Sequence, residues 1–446
     1  MKLIQKIFFW GLVFLISIGY SSNSVHAQTI TSATGGSSIS ADNFTSGTWT
    51  SLTGPIIQET SPGQLSTGTL RLKAPTGFAW DVGGTAPSAT VTSPKSTKIT
   101  VTLSSRTASE LVFSLTGSSS GNPKNNTHRI EFSNIRVRPS QGTPIASGNI
   151  SNVGSGAPGG TTNYGTLTMV TGADSQIRVE SLPTSGGSLI AAQSIEAGQS
   201  LTVYSNVRDQ YGNFKRNQSS TWSTESETGG VIDTDLSTST GSSTVFTGTL
   251  TGTGKIKATS GSLTAIQTGI LTVTPSTAAS LSITTQPSAS ATAGVSFAAQ
   301  PVLKILDSYG NIVTTDNFTQ ITASRNTGLG SLQGTVTKTA VNGVVTFSNL
   351  SHNIANTIDL TFSASGFSDV TSSSITVSPA AAASLVFSQQ PVNGNRNSAV
   401  PTIEVQIIDA FSNYVSQSGT LVTLSINSGT GNISGNTATS DAGGKA

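Results

Sequence analysis

Asp209-Gln210-Tyr211-Gly212-Asn213, Asp307-Ser308-Tyr309-Gly310-Asn311 and Asp409-Ala410-Phe411-Ser412-Asn413 are three versions of one five-residue phrase. Their first residues lie 98 and 102 apart (307 − 209 and 409 − 307). Three prolines keep a stricter interval: Pro183, Pro287 and Pro391 follow one another at 104 residues (287 − 183 and 391 − 287). Self-similarity at a fixed period marks a tandem array. A period of about 100 residues is too long for one turn of a solenoid and matches a whole β-sandwich domain.

Around the phrases the apolar residues step by two. In Ile403-Glu404-Val405-Gln406-Ile407 every second side chain is apolar, and Leu281/Ile283, Leu360/Phe362, Ile375/Val377 and Leu385/Phe387 repeat the step. That pattern predicts strands with one buried face and argues against disorder in a chain rich in Ser, Thr and Gly. The joints are alike. Leu271-Thr272-Val273-Thr274-Pro275 ends one unit and Ala278-Ala279-Ser280-Leu281-Ser282-Ile283 starts the next; Ile375-Thr376-Val377-Ser378-Pro379 and Ala382-Ala383-Ser384-Leu385-Val386-Phe387 do so again. The repeats are placed at 173–275, 276–379 and 380–446, and their short links predict a semi-rigid array. In the third, Gly443-Gly444-Lys445-Ala446 stands where the second has Asn342-Gly343 before Val344-Val345-Thr346-Phe347. This repeat is therefore expected to be incomplete, a fragment with a bare core and an unpaired sheet edge.

Residues 28–172 differ from the repeats and are expected to form an all-β sandwich of their own. The predicted strands include Gly68 to Lys73, Lys98 to Leu103, Glu110 to Leu115 and Arg129 to Phe132, with Leu167 to Val170 closing the domain. Gly, Pro, Asn and Ser clusters punctuate them. The Gly/Ser-rich stretch from Ser147 to Thr162 reads as a long loop. Ahead of the domain, Lys2 and Lys6, the apolar run Ile7 to Ile18 and Val25-His26-Ala27 read as a secretory signal over residues 1–27. No later apolar run reaches the roughly 20 residues of a membrane span.

The chain has no cysteine, which excludes disulfides, thiolate metal sites and a cysteine nucleophile. Charged residues are 9%, far below the ~25% of ordinary globular chains. Without Lys2 and Lys6, 20 basic residues face 20 acidic ones. Residues 28–172 carry 9 basic and 5 acidic groups, residues 173–446 carry 11 and 15. Neither balance supplies the dense basic patch of a nucleic-acid binder.

The phrase with its flanking apolar strands, and the Gly before a Val-x-Thr-Phe strand, resembles bacterial immunoglobulin-like repeats of the invasin/intimin-type adhesin group. The Ala-Ala-Ser-Leu starts, followed by Thr-Gln-Pro or Gln-Gln-Pro, are similar to such arrays in large secreted proteins. The likeness covers 173–446 and implies the fold; such repeats serve as spacers in adhesins, surface layers and glycan-degrading enzymes. The first repeat departs most, with no clear Gly-Val-x-Thr-Phe strand. Leu72-Lys73-Ala74-Pro75-Thr76-Gly77-Phe78-Ala79-Trp80 more loosely resembles leading domains of secreted Bacteroidetes proteins.

Asp209/Asn213, Asp307/Asn311 and Asp409/Asn413 offer side-chain oxygens to Ca²⁺, but each unit has few carboxylates nearby. The same spacing suits a turn in which Asp and Asn bond their own backbone, Gly takes positive φ and the ring packs over the turn. Trp49, Arg129, Arg136 and Arg138 are the candidate glycan contacts. The alternative is a solvated basic strip over buried Ile130, Phe132, Ile135 and Val137. Phe78 and Trp80, two apart, are expected to pack inward. His128 and His352 lie in different domains, and Glu225 and Glu227, two apart, would share one strand face. This leaves no triad and no facing acid pair, so no catalytic or cofactor residue is assigned. The expectation is a secreted or cell-surface protein, structural or adhesive, with repeats acting as a stalk toward a polysaccharide or a host or matrix protein. The alternative is a spacer, with carbohydrate-binding capacity, of a larger extracellular polysaccharide-degrading enzyme.

Overall fold

The computed structural model describes residues 28–118, 126–157, 162–395 and 398–446; the signal read at 1–27 lies outside them. Among the described residues no helix is long and apolar enough to cross a membrane. The described residues are all-β, with a single α-helical turn at Asn43–Ser46 and a 3-10 turn at Asp233–Asp235. It divides into two compact units, Met1–Gln176 with Val207–Arg216, and Ile177–Asn206 with Asn217–Ala446.

The first unit is a sandwich of short sheets. One runs Thr29–Thr31, Ile56–Gln58, Arg129–Ser133, Ser88–Thr92, and another runs Ser151–Asn152, Ser66–Lys73, Glu110–Ser118, Ile99–Arg106. Between them lies one core with Ile57, Leu70, Leu72, Phe113, Ile130 and Phe132, in which Phe113 and Phe132 meet edge-on at 4.8 Å. Alternation decided these strands: Leu70 and Leu72 are buried while Arg71 and Lys73 are exposed. Phe78 and Trp80 pack inward as predicted, and the Trp80 indole N–H donates to the Leu72 carbonyl at 3.1 Å. The stretch read as a loop from Ser147 carries two short strands. Ser147–Asn149 pairs with Thr166–Val170 and Ser151–Asn152 with Ser66–Lys73. Gly and Ser hid them because they pack little side chain.

In the second unit, residues 276–379 show the sandwich most fully. Ala278–Thr285, Val302–Asp307 and Val344–Thr346 form one sheet. Ser290–Thr292, Ile375–Ser378, Thr357–Ser363, Gln320–Thr327 and Thr337–Thr339 form the other, its first pair parallel. Leu281, Leu303, Ile305 and Phe347 face Ile321, Leu360, Phe362 and Ile375 across the core. This is the immunoglobulin-like β-sandwich that the resemblance implied. The first repeat does hold a counterpart of the Val-Val-Thr-Phe strand: Ser243–Phe246 pairs with Leu201–Arg208, and Phe246 is as buried as Phe347. The sequence disguised it with Ser-Thr-Val-Phe.

Even irregularities repeat. The pairing of Ala278–Thr285 with Val302–Asp307 slips at Ala278/Ser280 and Ile283/Thr285. The pairing of Ala382–Gln389 with Glu404–Asp409 slips at Ala382/Ser384 and Phe387/Gln389. Both bulges are 104 residues on (382 − 278 and 387 − 283). Yet the expected buried face of the latter strand is open, with Leu385 51% and Phe387 39% exposed. Its sheet has two strands, and a second two-stranded sheet, Leu421–Thr423 with Thr437–Thr439, borders the same open cavity without covering these side chains.

Candidate functional site, the Asp–Asn clasp

The five-residue phrase occupies the end of a strand and the turn after it. Val302–Asp307 runs out at Asp307, whose N–H donates to the Asn311 carbonyl at 2.9 Å and whose carbonyl accepts from Gly310 at 3.2 Å. The tight return needs a left-handed residue at the fourth position. Gly212 and Gly310 have φ +85° and +86°, and Ser412 is forced to +69°. Such a conformation costs a side-chain-bearing residue about 1–2 kcal/mol. Ser412→Gly is therefore expected to stabilise the third repeat by about 0.5–1 kcal/mol after the entropy cost of glycine, measured as a shift in its denaturation midpoint.

Inside the turn the Asp is buried and works as a hub. One Asp307 oxygen, Oδ1, accepts the N–H of Tyr309 (2.9 Å) and Asn311 (2.8 Å). Oδ2 accepts the Asn311 side-chain amide (2.9 Å) and the N–H of Ser276 (2.9 Å), which lies in the link that starts the repeat. Asp409 repeats the set with Phe411, Asn413 and Ala380, and Asp209 with Tyr211, Asn213 and Gly172. The three link donors, Gly172, Ser276 and Ala380, stand 104 apart (276 − 172 and 380 − 276). Burial alone would raise the Asp307 and Asp409 carboxyls; the Asn amide and the backbone N–H donors outweigh it and hold both below the ordinary carboxylate value.

The Asn reaches outward. Asn311 Nδ2 donates to the Thr249 carbonyl (2.8 Å) and its Oδ1 accepts the Thr251 N–H (2.8 Å). Asn413 does the same to Asn353 (2.8 Å) and Ala355 (2.7 Å), again 104 residues on (353 − 249 and 355 − 251). Two repeats are thus clasped by a two-point amide bond, while the Asp ties that amide to the link. Within the first unit, Asn213 Nδ2 donates to the Gly142 carbonyl (2.8 Å). The residue two further on is Pro144, which has no N–H to offer, so the second point is absent there.

The ring of the phrase does not merely cover its own turn, as expected. A Cβ on Gly142 would overlap the Tyr211 ring, one on Gly198 the Tyr309 ring, and one on Gly294 the Phe411 ring. The rings seat on bare glycine backbone of the preceding segment. Sequence reading missed these glycines, although the shared Ala-Gly at 197–198 and 293–294 was the available signal.

The calcium candidates Asp209, Asn213, Asp307, Asn311, Asp409 and Asn413 are all members of these clasps, and each Asp oxygen faces N–H donors. Among the described residues no group of three or more His, Asp or Glu side chains converges.

The glycan candidates separate. Arg129 lies on Arg129–Ser133 and pairs with Glu131. Arg136 and Arg138 lie on Ile135–Pro139, in a separate sheet with Thr50–Leu52 and Phe78–Trp80, beside buried Ile135 and Val137. Arg136 pairs with Asp81, and the Arg138 guanidinium sits 4.5 Å above the Trp49 ring. The single basic strip is therefore two.

Glu225 and Glu227 do not share a face. A bulge with Ser226 at φ +57° separates them. Glu225 takes Lys257 (2.5 Å) and the Gln267 amide, and Glu227 accepts the Thr224 hydroxyl (2.7 Å).

No family model matches the chain, and no curated protein matches it in sequence. Among solved structures, FdeC, an Escherichia coli adhesin, aligns at 17% identity and TM-score 0.27 over 71% of this chain and 95% of that one. Invasin, a bacterial integrin-binding protein, aligns at 11% and 0.26 over 81% of this chain and 61% of its own. The Parabacteroides merdae β-glucuronidase aligns at 11% and 0.18, over 46% of this chain and 24% of its own. At such scores the architecture stands on the strands and cores described above.

Proposed function

We propose that this is the structural or adhesive part of an exported surface protein, in which tandem sandwiches act as a stiff spacer. The observation that carries the reading is the clasp that recurs in register, with its link and partner positions kept at 104 residues (380 − 276 and 353 − 249). A chain selected only for independently folded beads has no need to conserve amide contacts between successive sandwiches. Hydrogen-bonded sheets resist extension, and the clasps keep load from concentrating in the links. The secretory pattern of residues 1–27 supports an extracellular place. Surface proteolysis of intact producing cells tests it: loss of the chain without lysis is expected, and full protection in intact cells with digestion only after lysis would overturn it.

A second reading, a carbohydrate-binding spacer of a larger polysaccharide-degrading enzyme, is favoured by one observation. Arg138 stacks on Trp49 and has no carboxylate partner among the described residues. An indole offers a sugar-stacking surface, and the guanidinium offers an anion contact. If this reading holds, the full chain binds uronate-bearing glycans on an array, and Trp49→Ala with Arg138→Ala lowers the signal at least about tenfold, the loss of ~1.4 kcal/mol. An array without binding removes it.

A further inference from the structure

The segment that the third repeat's clasp grips, Asn353 and Ala355, begins one residue after a buried histidine. His352 is fully buried, on Ser351–His352, which pairs with Leu332–Gln333. Its Nε2 is 2.8 Å from the Leu329 carbonyl, so this nitrogen carries the proton and donates. Its Nδ1 is buried without a hydrogen-bond partner. A second proton would have to sit on Nδ1, which makes no hydrogen bond in the folded chain. The His352 carbonyl accepts the N–H of Gly294, the glycine on which the Phe411 ring seats. His352 therefore touches the supports of the ring and of the amide together.

Among the described residues, no carboxylate near the ring is free to relieve a positive charge. Arg325, on Gln320–Thr327, bonds the carbonyls of Gly328 and Gly330 in the loop that wraps the imidazole. A Cβ on Gly330 would stand 3.0 Å from the ring. Asp359, on Thr357–Ser363, is occupied by Thr327. Asp409, in the neighbouring repeat, is occupied by its own turn and by Ala380. Ser290–Thr292, Leu332–Gln333 and residues 353–356 bring no charged side chain. Burial lowers the His352 value from the ordinary 6.5; the Leu329 and Ser331 carbonyls oppose the shift without cancelling it, and Arg325 adds to it. The matching position in the first repeat is Gly248, whose carbonyl accepts the N–H of Gly198 (352 − 248 = 104).

We infer that the joint between the second and third repeats is acid-labile and the joint before it is not, because protonation of His352 must open the 329–331 loop and so free the Asn353–Ala355 grip. The sign follows from linkage: the opened state binds the proton more readily, so stability is full above about pH 6.5 and falls as pH drops below it. At about pH 5 the clasp carboxylates, held below the ordinary value, are still charged.

The inference rests on the clasp reading, and hydrogen exchange of the full chain separates the two. Protection of the Ala355 N–H is compared with that of Thr251 at about pH 7.5 and pH 5, corrected for intrinsic rates. Ala355 is expected to lose about tenfold protection at the lower pH, some 1.5 units beneath the ordinary histidine value, while Thr251 keeps its own. His352→Gln, which can still donate to Leu329 and does not titrate, is expected to abolish the difference. Equal behaviour of Ala355 and Thr251 in the unmodified chain would overturn the inference, as would persistence of the acid loss in His352→Gln. If instead Asp409→Ala leaves Ala355 protection unchanged at pH 7.5, the clasp reading itself fails.

Discussion

Asp307→Ala is expected to destabilise the second repeat by about 3–5 kcal/mol, since hydrogen bonds to a charged acceptor contribute ~1.5–3 kcal/mol each and the donors left behind are buried. Four N–H groups lose their acceptor: Tyr309, Asn311, the Asn311 side-chain amide and Ser276. The Asn amide also loses the partner that aims it at Thr249 and Thr251. The damage is thus expected on both sides of the joint, as a lower denaturation midpoint and faster exchange at Ser276 and Thr251. Acid should mimic it. The Asp307 carboxyl lies below its ordinary value in the folded chain, so its contribution is present above about pH 4 and is lost as pH falls through the lowered value. A wild-type chain whose second repeat shows no decline below pH 4 would argue against the hub.

Glu59→Gln is expected to cost the first unit about 2–4 kcal/mol, and Glu59→Ala more, by the penalty for orphaned buried donors. Both carboxylate oxygens face donors: Oε1 accepts Leu65 N–H (2.7 Å), and Oε2 accepts the N–H (2.8 Å) and Nδ1 (2.9 Å) of His128. The far nitrogen of that ring, Nε2, accepts Lys98 N–H at 3.1 Å, which fixes the proton on Nδ1. An amide at residue 59 must present NH₂ to one of these donors. Denaturation of the full chain reads the effect as an earlier first transition with the second unit unmoved. Both side chains are completely buried, so a neutral outcome would mean the network is not formed.

The fold was legible where side chains alternate and where the phrase recurs, because both are properties of one stretch of chain. Leu70/Leu72 and Leu360/Phe362 point inward as the step of two required. What stayed hidden depends on residues far apart. Glycine seats such as Gly198 and Gly294 acquire meaning only once a ring from 111 or 117 residues later (309 − 198 and 411 − 294) lies on them. The Asn bonds go to main-chain groups of Thr249 and Asn353, and backbone acceptors leave no mark in a sequence. The Glu225/Glu227 pairing failed because a bulge at Ser226 interrupts the period-two count. Leu385 and Phe387 alternate like buried residues, yet they are exposed: alternation describes a strand's two faces, and burial needs an opposing sheet that closes over one of them, whereas here the two sheets border an open cavity.

The central claim is that the clasps fix one sandwich on the next, and spin-label distances test it most directly. The chain has no cysteine, so Thr337→Cys and Ser418→Cys, both at exposed positions in successive repeats, would carry the only labels. A narrow distance distribution is expected, and Asp409→Ala with Asn413→Ala should broaden it while each repeat keeps its strands. A distribution equally broad with and without the clasp would contradict the account.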